Sequence, residues 1–169
     1  TIRDIAGAVN MRSGSPFYHF KTKHDMLLAV ALDGIQAIHD AVLEVAAPIS
    51  EPRARFRAMV HAHLGALLNP GGRDFAAVVI RECAALEPDA WAQVQARKDA
   101  YEALWARTLD ELAATGVLKG DMPVTRLLLL GALNWTVKWF DPAGPKTARE
   151  VGEEFAGLFL QGLEVHHER

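Results

Sequence analysis

At 169 residues, half of them apolar and 23% charged, the chain suits one domain, or a small domain fused to a larger one, and its apolar content excludes intrinsic disorder. The longest apolar run, Leu127 to Leu133, falls far short of a membrane span, and no signal peptide is seen; the single cysteine, Cys83, cannot form an internal disulfide, which fits a reducing cytoplasm. The net charge of −3 hides an asymmetry: residues 1–24 hold Arg3, Arg12, Lys21 and Lys23 against Asp4 alone, so the rest of the chain is acidic and only the first segment suits a polyanion.

Taken in chain order, every predicted element is a helix, because no period-2 alternation bounded by hairpin turns occurs. The opening "TIRD" begins on an N-cap without a Met, so residues are expected ahead of Thr1. A first helix spans about 2–9, and a second, about 14–20, follows a tight turn at Asn10–Arg12. The third, about 23–46, takes Thr22 as N-cap and stops before Pro48; the fourth, about 52–68, has Pro52 in its first turn and ends at "NPGG". The fifth spans about 73–86 and stops before Pro88. The sixth, about 89–115, aligns Trp91, Val94, Tyr101, Leu104, Trp105, Thr108 and Leu112 near one stripe, with Gly116 just past its end. The seventh runs over about 123–139 and the eighth over about 147–165 with Thr147 as N-cap, separated by the break "DPAGP". The fold class is therefore all-α.

The segment "SGSPFYHFKTKHDML" places Pro16 where helix breaking would be expected. With Ser13 as N-cap, however, Pro16 falls at the third helical position, where the N–H has no intrahelical partner, so the proline marks a helix start. Two short helices joined by a tight turn, the second polar and aromatic, make a helix-turn-helix whose N-terminal end can enter a major groove. Gly14 and Ser15 let the backbone approach bases, and Tyr18, His19 and Lys23 can reach phosphates.

Residues 1–30 resemble the TetR family of bacterial regulators, through "TIRDIAGAVNM" and "SGSPFYHFKTKHDMLLAV". Pro16 stands where that family usually has Leu or Ile, Phe17 where it has Tyr, and Met26 where it has Leu. The resemblance implies a helix-turn-helix DNA-binding domain over 1–24, one helix of it preceding Thr1, and a helical ligand-binding and dimerisation domain over 25–169. It further implies that Ser13, Ser15, Phe17 and Tyr18 face bases and that Thr1, His19 and Lys23 meet phosphates; Arg12, in the turn, could do either. Phe20 reads as core packing.

In the body, "LLLLGALNW" is apolar nearly all round, so the seventh helix is buried on more than one face, and Gly131 and Ala132 let another helix approach. The resemblance implies a homodimer through the last two helices. Ligand-binding candidates are Arg81, Trp91, Tyr101, Trp105 and Asn134: an apolar and aromatic set with a few polar groups, as ligand sites require. Asn134 needs a partner, which ligand, backbone or the other subunit could supply. The stretch "GALNWTVKWFDPAGPKTAREVGEEFAGLFLQGL" resembles the TetR subgroup controlling fatty-acid or steroid breakdown, which implies an apolar acyl-type effector, including acyl-CoA esters.

His61 and His63, two residues apart on a helix, point about 200° apart and cannot share one metal ion; His39 and His166–His167 have no ligand-spaced partners. No cofactor, metal site or catalytic motif is expected, so the chain is not read as an enzyme. The expected function is a ligand-released repressor acting as a homodimer on a palindromic operator, with no membrane partner. The rivals are an activator of the same fold and a helical ligand-binding module that has lost DNA binding.

Overall fold

The computed structural model describes residues 20–82 and 86–162. Six helices occur among them: α1 (Lys23–Ala46), α2 (Pro52–Leu68), α3 (Pro70–Glu82), α4 (Pro88–Ala114), α5 (Met122–Trp139) and α6 (Ala148–Gly162). The two short helices expected over 2–9 and 14–20, and the end of the eighth beyond 162, lie outside the described residues.

Local chemistry sets the helix ends. Thr22 caps α1 in a reciprocal box: its hydroxyl accepts from the Asp25 N–H at 3.0 Å, and Asp25 accepts from the Thr22 N–H at 2.9 Å. Thr147 and Glu150 repeat the device ahead of α6. Glu51 caps α2, its carboxylate accepting from Arg53 and Ala54; these bonds hold that carboxyl below its usual range. At the end of α4, Gly116 sits at φ 76°, the Gly116 N–H donates to Ala113 and the Val117 N–H to Leu112, closing the helix as a Schellman motif.

The start of α3 differs from the sequence expectation. "NPGG" ends α2, yet α3 begins at Pro70 rather than near 73. Asn69 accepts the Gly72 N–H at 2.8 Å and Pro70 needs no donor partner, so the break residues are themselves a helix start. The corner is tight: a Cβ on Gly72 would stand 2.0 Å from the Ala66 carbonyl oxygen.

The α2 helix packs against each of the other five. Its Phe56, Met59, Val60, Leu64, Leu67 and Leu68 are buried, and with Trp105, Leu109 and Leu112 of α4 and Leu129 and Leu133 of α5 they form the main core; His63 is buried on the same helix. A smaller cluster of Leu27, Ala31, Ile35, Leu86 and Val94 packs the first half of α1 onto the start of α4. By length and composition alone α1 is apolar enough to cross a membrane, but here its apolar stripe, Leu27 to Ala46, packs into these two cores.

Candidate ligand cavity

Helical geometry separates the two histidines of α2. His61 turns toward α6, its Nε2 3.0 Å from a Glu153 oxygen, while His63 turns inward and is 1% exposed. His63 borders an open-mouthed cavity of about 400 Å³ lined by α1 to α5, within the size range of small-molecule sites. The walls are mostly apolar: Ile35 and Ile38 of α1, Leu67 of α2, Phe75, Ala76 and Val79 of α3, and Leu127, Leu130 and Gly131 of α5. Five polar residues interrupt them: His63, Lys98, Tyr101, Glu102 and Asn134.

These polar residues fall into two groups. On the inner wall, His63 Nδ1 lies 2.6 Å from the Tyr101 hydroxyl, the two rings stack with an interplanar angle of 16°, and Trp105 meets both edge-on. Burial lowers the His63 imidazole to about 4, so it is neutral at pH 7. Burial also pushes the Tyr101 hydroxyl up, against a smaller opposite pull from Trp105. The Nε2 atom of His63 has no hydrogen-bond partner among the described residues. The second group is charged: Lys98 and Glu102 lie one turn apart on α4, and Glu102 pairs with Arg126 of α5 at 3.3 Å.

The sequence-predicted ligand residues divide. Tyr101 and Asn134 line the cavity. Trp105 does not: it is fully buried behind Tyr101 and His63, with Phe56 against its other side. Trp91 stands in the first turn of α4, outside the lining and 41% exposed, with the Lys98 ammonium 5.9 Å above its ring. Arg81 belongs to α3, and its side chain lies outside the described residues. The reading missed His63, Phe75, Lys98 and Glu102. A histidine inside the apolar run "MVHAHLGALL" was the available signal for the first.

Of the DNA-binding candidates, Thr1, Arg12, Ser13, Gly14, Ser15, Phe17, Tyr18 and His19 lie outside the described residues. Lys23, the first residue of α1, is exposed, and its Nζ lies 3.4 Å from Glu82 at the end of α3.

The outer face of α5 is apolar and open. Val124, Leu127, Leu128, Trp135 and Trp139 are each at least half exposed, as is Leu158 on α6. Nothing lies within 4 Å of a Cβ built on Gly131 or Gly157. Asn134 belongs to this exposed side as well as to the cavity rim.

Residues 50–163 match the family model described as tetracyclin repressor-like, C-terminal domain. The HTH-type transcriptional repressor KstR2 of Mycolicibacterium smegmatis is 28% identical over 176 residues, covering 96% of this chain and 80% of its own. The solved structure of superantigen PfiT is 35% identical with a TM-score of 0.77, covering 94% of this chain and 84% of that one. AibR, crystallised with isovaleryl coenzyme A and operator DNA, is 25% identical with a TM-score of 0.78, covering 97% and 86%.

Proposed function

Since this chain belongs to the TetR family, its residues 50–163 matching that family's C-terminal domain, we propose that it is a DNA-binding transcriptional regulator that acts as a ligand-released repressor. The observation that carries this reading is the cavity of about 400 Å³, mostly apolar, in which α1 supplies part of the wall. That same helix begins at Lys23, at the end of the helix-turn-helix sequence of residues 1–24. A ligand that alters how α1 packs thereby biases the placement of the DNA-reading segment, which is a two-state population shift.

The effector is an apolar acyl compound. AibR binds isovaleryl coenzyme A and operator DNA, KstR2 is a repressor, and the apolar cavity here suits the acyl part of such a molecule. A coenzyme A ester would seat its acyl chain among Ile38, Leu67 and Val79 and carry its polar part outward. The repressor is a homodimer: the open apolar face of α5 and α6 supports a second copy there, and one recognition helix reads too few base pairs alone. Two copies related by a two-fold axis read a palindromic operator. A fold shared with a superantigen assigns no role by itself; the helix-turn-helix sequence makes the difference.

The test is selection from a random duplex library by the whole protein. Enrichment of an inverted repeat, bound with steep salt dependence, supports the reading. No enrichment at low salt would favour a ligand-binding module that has lost DNA binding, the reading to which Pro16 and Phe17 lend support.

A further inference from the structure

The polar cluster on the inner wall has a direction. The Tyr101 hydroxyl and His63 Nδ1 lie 2.6 Å apart. Were the imidazole the donor, the phenolic proton and Nε2 would both be left without a partner among the described residues; with the phenol donating in a short O–H···N bond, only one group is left unmade. A neutral imidazole carries one N–H; with Nδ1 accepting, the proton sits on Nε2. This N–H belongs to a side chain that is 1% exposed and borders the cavity, and it has no partner among the described residues. A buried donor left unmade is costly, so a group that answers it gains affinity.

The chemistry of that group follows from its surroundings. The imidazole is neutral, the Lys98 ammonium lies over Trp91, a residue outside the lining, and Glu102 is paired with Arg126, so a buried carboxylate beside His63 would find no compensating charge. A neutral oxygen acceptor fits. We propose that His63, held in its Nε2–H form by Tyr101, is the specificity group of the cavity and donates a hydrogen bond to a carbonyl oxygen of the effector, whether ketone or thioester. The inference rests on the cavity being the effector site.

The test uses the whole protein labelled with ¹⁵N-histidine and three probes of similar length: nonan-2-one, S-methyl octanethioate and 2-methylnon-1-ene, in which a CH₂ replaces the ketone oxygen. Affinity is read from tryptophan fluorescence. One or both carbonyl compounds should bind at least about tenfold tighter than the olefin, a difference of about 1.4 kcal/mol, and should shift the His63 Nε2 resonance. Whichever carbonyl compound binds tighter identifies the source. His63→Phe should remove the preference while keeping the olefin's affinity. Tyr101→Phe, which leaves the imidazole in place, should reduce it and free the tautomer. Equal binding of all three probes overturns the proposal, as does an Nδ1–H tautomer in the wild type. None of these readouts involves DNA, so a protein that fails to bind an operator would sink the regulator reading and leave this one standing.

Discussion

Phe75 lies across Gly34 with no room for a side chain between them: a Cβ at position 34 would stand 2.1 Å from the ring's Cδ2. The contact sets how closely α3 approaches α1, and Phe75 is also part of the cavity wall. Gly34→Ala must push the ring aside. The expected loss of stability is about 1–3 kcal/mol, the usual range for overpacking, measured by urea unfolding. Adding Phe75→Leu removes the colliding ring and should recover most of it; a double variant as unstable as the sum of both singles would show the contact is not the cause.

His63 makes stability depend on pH. Its folded value is about 4 against 6.5 for a solvent-exposed histidine, so between those pH values the unfolded chain binds the extra proton. Stability from this site is therefore complete above about 6.5 and is lost as pH falls toward 4. Wild type should lose about 3 kcal/mol more than His63→Phe across that window. Exposed carboxylates held low, such as Glu51 and Glu150, titrate alike in both proteins and cancel. Parallel pH curves would contradict the assignment.

Lys23 is the one candidate phosphate contact among the described residues, and its partner there is Glu82. Its 3.4 Å pairing with Glu82 is solvent-exposed on both sides, and such pairs contribute little, so a DNA phosphate can displace it. Lys23→Ala should weaken binding to all duplexes and lower the salt slope by about 1, whereas Ser15→Ala should change sequence preference. Filter binding across a salt series checks both. A sequence-selective loss from Lys23→Ala would be inconsistent with a phosphate contact.

How much of this was legible beforehand varies by kind. The boundaries of α1 and α2 follow from Thr22, Pro48 and Pro52, because caps and prolines act within a turn of themselves. Pro70 misled, because "NPGG" carries the same residues for ending a helix as for starting one, and only the Asn69 side chain's bond to Gly72 decides. Tyr101 and Asn134 were legible as lining; Trp105 shares the Tyr101 stripe yet faces the core, since four residues along a helix turn the direction by about 40°. Sequence alone makes His63 a structural or surface histidine and a poor metal ligand. Its hydrogen bond is to Tyr101, 38 residues away, and no local pattern encodes that pairing.

The exposed α5 face gives a prediction about assembly. Leu128 and Trp135 are 67% and 61% exposed, so Leu128→Glu with Trp135→Glu should leave the fold intact while abolishing self-association. Native mass spectrometry of the wild type should record a dimer and of the double variant a monomer, with unchanged circular dichroism. A monomeric wild type would remove both the dimer and the palindromic operator.

The central claim is that filling the cavity releases DNA. It is tested by fluorescence anisotropy of the library-selected duplex with the whole protein, titrated with octanoyl-CoA while tryptophan emission reports occupancy. Anisotropy should fall to that of free DNA as the cavity fills. A tryptophan signal that saturates while the DNA complex persists would contradict it.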